Sequence, residues 1–263
     1  MVKTAALLLK SRKYKEKDKL LSFFTQDLGR IVALCKSARS PNHRWGSSTE
    51  PPAFGFVQLY EKNHFYTLTE ICTVESFLHD KIELDRLVAY QFVSSLIERY
   101  IPYALVQPQL FQKVQALFFY WKEGNTSILM GLYHFMIYFL SVQGYALSWK
   151  HCACCHQEVA SAISERWFFD LIRGTIYCFN CGAREKHLYP ISSRVCSVLE
   201  KIKQAYPGNL MDFLVTDSEW QEIDRMIGFY YKEKIDPHFK SYYEIMKTGL
   251  LFEKKGLEKR CSY

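Results

Sequence analysis

The chain has 263 residues, 49% of them hydrophobic, which marks a globular protein able to bury the core of one large or two ordinary domains. Its longest apolar run, Ile128 to Val142, is interrupted by His134 and Ser141 and falls short of the roughly 18 to 20 residues of a membrane span, so a buried core helix is expected there. The formal charge of +7 resides wholly in the first fifth of the chain: Met1 to Glu50 holds eleven basic and four acidic residues, an asymmetry that points to a polyanionic partner.

The opening stretch has an apolar run of only Ala5 to Leu9, and a basic string follows where a cleavage site would need small residues, so export is not expected. Nine cysteines, an odd number without an export signal, argue against a disulfide framework; the expected compartment is the reducing cytosol, where paired cysteines bind metal.

Lys3 to Lys10, Leu20 to Thr25 and Arg30 to Lys36 are short runs of apolar and β-forming residues and are predicted to be strands. The first two are separated by a charged stretch, expected as a solvated loop; the second and third by Gln26 to Gly29, where glycine supplies the positive φ of a tight hairpin. Ser37 to Ala53 is a polar loop broken by Pro41, Gly46, Pro51 and Pro52. Phe54 to Lys62 and Phe65 to Thr73, divided by an Asn63-His64 turn, complete five strands with no helix period among them. A five-stranded barrel of the oligonucleotide-binding (OB) fold is the economical way to bury them without edges.

From Asp80 the period changes. Leu87, Tyr90, Val93, Leu96, Ile97, Tyr100 and Ile101 mark an amphipathic helix ending near Pro102. Gln109 to Trp121 and Thr126 to Gln143 predict two more helices, and helical patterns return at Ser192 to Ala205 and Asp217 to Lys234. The predicted class is therefore α+β: an N-terminal OB barrel, then a C-terminal helical bundle with an inserted four-cysteine, zinc-finger-like motif. The expected parts are a barrel over 1–79, helices over 80–149, a metal insertion over 150–187, and further helices with a tail over 188–263.

The insertion begins and ends in CxxC pairs, Cys152/Cys155 and Cys178/Cys181, with 22 residues between them. Two residues between ligands let one tight turn present both sulfurs to one ion, and four thiolates close a tetrahedron around a single structural zinc. Such a site has no open position for water, which excludes catalytic zinc. Cys154, or one of His151, His156 and His187, could substitute for one sulfur.

Lys13, Lys15, Arg30, Lys36, Arg39 and Arg44 are the expected phosphate contacts of the basic barrel, with Trp45 or a strand aromatic available to stack a base. The many other aromatics, such as Phe118 to Trp121, stand at core spacing and are read as packing. No GxxxxGK[ST], GxSxG or GxGxxG motif is present, and Cys35, Cys72, Cys196 and Cys261 carry no signature of an activated nucleophile, so no catalytic residue is assigned.

The order of parts resembles the RecO family of bacterial DNA repair and recombination mediators. Lys13 to Trp45 is similar to that family's stretch of a charged turn, a Leu-Leu strand, a threonine followed by Gly29-Arg30 at the hairpin, and Lys36-x-x-Arg39 at the exit. Leu68-Thr69-Glu70 resembles a further family strand, and the CxxC pairs, Arg173-Gly174 and Gly182 resemble its zinc insertion, so the similarity runs from Lys3 to about Tyr243. Four positions depart from the family pattern. Ser37 stands where glycine usually follows the lysine, His156 where glycine follows the second cysteine, Cys154 is extra, and Gly174 is alone where a glycine pair is common.

The resemblance implies a non-enzymatic, cytoplasmic and nucleoid-associated protein. It would bind single- and double-stranded DNA, anneal complementary strands without ATP, contact the acidic tail of the single-strand-binding protein, and with RecR place RecA on coated DNA. A groove for that tail is expected among the helices, with Arg99, Lys113 and Lys122 as candidates between which the sequence does not choose. Two other classes stand beside this one: a zinc-containing OB-fold RNA-binding or translation-associated factor, and a hydrolase with an open metal site of carboxylate or histidine ligands.

Overall fold

Residues that alternate between apolar and polar have one face to bury, and in the computed structural model five such strands close on one another. Described are residues 1–40, 45–78, 83–123, 127–159, 166–183, 187–205, 214–241 and 244–245. The strands are β1 (Val2–Tyr14), β2 (Asp18–Thr25), β3 (Gly29–Cys35), β4 (Ala53–Lys62) and β5 (Phe65–Ser76). They form a closed barrel in the order β1-β2-β3-β5-β4, with β1 antiparallel to both β2 and β4 and β3 parallel to β5. This is the OB arrangement expected from the sequence.

Strand β3 shows the alternation plainly: Ile31, Ala33 and Cys35 are fully buried and Arg30, Val32 and Leu34 partly exposed. The inward set meets Ala6, Leu8, Leu21, Phe23, Val57, Leu59, Tyr66 and Leu68 in one core. The run Leu7 to Leu9 breaks the alternation because β1 is buried on both faces. Leu7 lies across from Phe24 on one side and Phe54 on the other, and this outer row is covered by α2 (Pro108–Lys122), with Phe24 to Phe111 at 5.8 Å and Phe54 to Phe119 at 5.6 Å between ring centroids.

The charged stretch after Lys10 is not the solvated loop expected. β1 continues to Tyr14 and β2 begins at Asp18, so Lys13 faces Lys19 across a hairpin with only Lys15 to Lys17 in its turn. Apolar periodicity stops there because both faces of the hairpin tip meet water, while the backbone ladder continues without it.

Helix α1 (Leu84–Tyr100) ends before Pro102, and α3 (Ile128–Val142) is the mostly buried helix that the apolar run predicts. Phe77 is fully buried between α1 and α2, 5.2 Å from Tyr90 and 5.4 Å from Phe118. Among the described residues no helix is long and apolar enough to cross a membrane. Gly29 is required on two grounds: its φ is +68°, and a Cβ there would collide with the Leu105 carbonyl, because Ala104 donates to Arg30 O at 2.8 Å.

The chain divides into two compact units, Met1–Phe135 and Met136–Tyr263. In the second, β6 (Arg166–Asp170), β7 (Thr175–Cys178) and β8 (Tyr189–Ser192) form a sheet in the order β7-β6-β8, with the short α4 (Phe179–Gly182) between β7 and β8. Ser192 ends β8 and caps α5 (Ser193–Gln204) by accepting from Val195 N at 3.1 Å. Helix α6 (Asp217–Lys234) opens in a capping box, with Glu219 N donating to Thr216 Oγ1 at 3.3 Å and Thr216 N to Glu219 Oε2 at 2.7 Å. Trp149, Trp167, Phe169, Leu199, Ile227 and Tyr231 are fully buried, and Tyr231 donates to Met136 O at 2.8 Å.

Ser37 has a φ of +55° and is exposed. A left-handed residue other than glycine is disfavoured by about 1–2 kcal/mol, while glycine loses about 0.4–1 kcal/mol through the unfolded chain, so Ser37→Gly should stabilise by about 0.5–1 kcal/mol. Urea unfolding is expected to show a higher midpoint at an unchanged slope; a lower midpoint would mean that the serine hydroxyl holds the turn.

Candidate metal centre and nucleic-acid interface

Two tight turns bring the cysteines together. The first spans Cys152 to Cys155. Cys152 donates its N–H to Gln157 O at 2.9 Å, His156 donates to Cys152 O at 3.0 Å, and Ala153 donates to Ile176 O at 2.8 Å, which ties this turn to β7. His156 closes it at a φ of +60°, which explains why glycine suits the position. The second turn leaves β7 at Cys178 and enters α4, which carries Cys181. Its hairpin is held by Asp170, whose carboxylate accepts from Ile172 N at 2.8 Å and Arg173 N at 3.1 Å. Gly174, at a φ of +67°, has the Tyr230 hydroxyl 2.6 Å from where a Cβ would stand.

The four sulfurs of Cys152, Cys155, Cys178 and Cys181 lie within 4.8 Å of one another, and those of Cys155 and Cys178 are 3.6 Å apart. Metal–sulfur bonds of about 2.3 Å in a tetrahedron put sulfurs about 3.8 Å apart, so the four thiols can hold one metal ion. Cys154, exposed, is outside this group, and so are His151, His156 and His187. Burial pushes the Cys152 thiol up, but N–H groups of Cys155, Cys178 and Cys154 outweigh it and bring it down to about 6. One of these contacts is Cys178 N to Cys152 Sγ at 3.3 Å. Cys181 shares hydrogen bonds with the Cys178 and Cys155 thiols and is pushed up. A cation is what lets all four ionise together.

On the barrel, the structure gathers part of the expected basic set at the tip of the β1–β2 hairpin. Lys13 is exposed on β1, and Lys15, with a φ of +49°, holds its ammonium 5.5 Å from the Tyr14 ring. The segment after β3 folds over this tip. Asp18 Oδ1 accepts from Ser37 N at 2.8 Å, Arg39 N donates to Lys17 O at 2.8 Å, and Arg39 Nη1 donates to Glu16 O at 2.9 Å and Lys15 O at 3.2 Å. Arg39 is thus a clamp on the hairpin as well as a positive charge. Lys36, exposed, leads into this segment.

Arg30 stands at the other end of β3, with Nε donating to Ile101 O at 2.7 Å and its guanidinium 6.0 Å from the Tyr103 ring. It shares a groove with Lys10, Arg12 and Glu98 rather than with the hairpin tip. Trp45 is half-buried and packs against the barrel core, and Arg44 lies outside the described residues. Outward-facing rings are supplied by Tyr60 and Phe65, 46% and 78% exposed, strand aromatics that the sequence did not single out. Their outward phase, set by the inward Leu59, Tyr66 and Leu68, was the available signal.

Of the cations weighed for a partner tail, Lys122 is paired with Glu75 at 2.5 Å and Arg99 lies 5.5 Å from the Tyr100 ring. Burial pulls the Lys113 ammonium down.

Comparison with known proteins covers both parts. The family described as recombination protein O N terminal matches residues 1–77, and that described as recombination protein O C terminal matches residues 83–242. DNA repair protein RecO of Acetivibrio thermocellus is 24% identical over 238 residues, covering 90% of this chain and 93% of the relative. Its namesake in Caldanaerobacter subterraneus subsp. tengcongensis is 24% identical over 255 residues, 94% and 98% of the two chains. The Dehalococcoides mccartyi protein of that name is 27% identical over 202 residues, 77% and 78%. With the barrel inside the first match and the helices and cysteine cluster inside the second, the chain belongs to the recombination protein O family.

Proposed function

We propose that this protein is a recombination mediator in DNA repair, without a catalytic centre, acting in the cytoplasm at the nucleoid. It binds single- and double-stranded DNA, anneals complementary strands without ATP and, with RecR, helps load RecA onto DNA coated by single-strand-binding protein, whose acidic tail it contacts. The observation that carries this reading is the match of both halves of the chain to one recombination-protein family, whose first half holds the basic barrel.

On this reading Lys13, Lys15, Lys36 and Arg39 track phosphates around the hairpin tip, Arg30 extends the path over β1–β3, and Arg44, outside the described residues, completes the expected cations. Phosphate contacts carry little base information, so sequence specificity is poor. Annealing follows because cations between two strands screen their mutual repulsion.

The metal is one structural zinc ion. Four thiolates in tetrahedral reach suit zinc, and with every position filled by protein none remains for water. Its chemistry is coordination alone, which stabilises a segment with too small a core of its own.

Three measurements test this. Lys13 and Lys36 have no ion-pair partner among the described residues, so replacing both by alanine removes charge and little else. The log-log salt slope of single-strand binding should fall by about 1.4, at about 0.7 per phosphate; an unchanged slope takes both off the path. Arg39→Ala is a poorer probe, since it also releases the hairpin clamp.

Purified protein should carry one zinc per chain. Cys178→Ser should lose most of it and unfold the insertion at lower temperature, whereas Cys154→Ser should keep it. Full zinc content and stability in the Cys178 variant would remove that residue from the ligand set.

Complementary oligonucleotides coated with single-strand-binding protein should anneal without nucleotide, and faster with the intact coating protein than with one lacking its acidic tail. No annealing on either coat, together with tighter binding to RNA, would favour the RNA-binding class instead.

A further inference from the structure

We infer that Cys154 is a site of reversible oxidation and that Cys181 is its partner, so that a peroxide withdraws one sulfur from the metal cluster. This rests on the four-thiol zinc site proposed above and adds to it a reaction of a residue which that site does not use.

The two turns present five thiols, not four. Cys152, Cys155, Cys178 and Cys181 suffice for a tetrahedron, and the fifth, Cys154, stands outside it on the turn that carries the first pair. Burial divides the four. Cys152 and Cys178 are 0% and 4% exposed, whereas Cys155 is exposed and Cys181 half-buried. The Cys154 thiol is itself exposed and within hydrogen-bonding reach of Cys181. The backbone keeps the two turns side by side: Ala153 N donates to Ile176 O of β7 at 2.8 Å, and β7 leads directly into the helix that carries Cys181.

The other described thiols lack this setting. Cys35 and Cys196 are fully buried, and Cys72, though exposed on β5, belongs to the first unit. Exposure beside a second thiol able to resolve the first product is what marks a cysteine for reversible oxidation. In a reducing compartment the resulting disulfide is transient rather than structural.

The chemistry takes two steps. The Cys154 sulfur attacks an oxygen of hydrogen peroxide; the O–O bond breaks, a sulfenic acid forms and water leaves, with two electrons passing from sulfur to peroxide. The Cys181 sulfur then attacks the sulfenic sulfur, the S–S bond forms, the S–O bond breaks, and the departing hydroxide takes up a proton to give a second water. Cys181 is now spent on the disulfide, and three sulfurs remain where four close the site. A dithiol restores both thiols by exchange.

The test treats the full-length protein, purified with its zinc, with a slight excess of hydrogen peroxide, comparing wild type, C154S and C72S. Peptide mapping after free thiols are blocked identifies the disulfide, and a chromophoric chelator reads the zinc released. Wild type and C72S should form a Cys154–Cys181 disulfide and release zinc together. Their oxidised forms should hold zinc at least about tenfold more weakly, the floor set by loss of a mere outer-shell partner. C154S should start with the same zinc content and melting temperature, and should keep its metal over the interval in which wild type loses it. Dithiothreitol with added zinc should return wild type to its starting content.

Equal zinc release from wild type and C154S overturns the assignment, as does a map that pairs Cys155 with Cys181 and leaves Cys154 reduced. Cys154 oxidised to a sulfenic or sulfinic acid with no disulfide and the zinc retained overturns it as well, while leaving the zinc reading standing. Wild type purified without zinc ends the zinc reading and with it the withdrawal of a ligand; the disulfide map, which needs no metal, still decides the Cys154–Cys181 pair.

Discussion

The first unit depends on β1 being buried on both faces. One face supplies Ala6 and Leu8 to the barrel core; the other supplies Leu7 to a row with Phe24 and Phe54 under α2. Each leucine or phenylalanine among them is worth about 1.5–3 kcal/mol when fully buried, so this strand alone joins barrel closure to helix packing. The choice of covered wall has a functional consequence. With α2 occupying the row at the start of β1, the walls left to solvent are the far end of β1–β2 and the β4–β5 hairpin, and there Lys13, Lys15, Lys36, Lys62, Tyr60 and Phe65 are found exposed.

The second unit has a different constraint. Strands of four or five residues and a four-residue helix cannot form a stable core by themselves. The thiols stand where the two turns meet, and the sheet they fasten is not peripheral: Phe169 of β6 packs on Tyr230 of α6 at 5.8 Å, and β8 runs directly into α5 through Ser192. Losing the proposed metal would therefore disturb the sheet on which α6 rests.

Much of this was legible in the sequence. The five strands follow from short apolar, β-forming runs set between turn residues, and the helices from apolar spacing with a stop near Pro102, because burial dictates both patterns. The cysteine spacing named the four sulfurs that meet. What was not legible depended on partners distant in sequence. Nothing local says that Arg39 clamps the carbonyls of Lys15 and Glu16, that Trp45 packs on the core, or that Arg30 reaches Ile101. The charged hairpin was missed because strand pattern vanishes where neither face is buried. Ser37 and His156, read only as departures from family glycines, prove to be left-handed residues, so the backbone demand was visible while its cause was not.

The proposed activity depends on what each contact leaves free. Two strands anneal only if the Watson–Crick edges of their bases are available, and recognition through base edges would occupy them. On the proposed reading, cations at the hairpin tip would touch phosphates, and a contact of that kind uses no edge. A strand held this way would remain able to pair. Poor sequence specificity is then a requirement of the chemistry rather than a shortcoming of it, since any side chain that read a base edge would have to let go before annealing could begin.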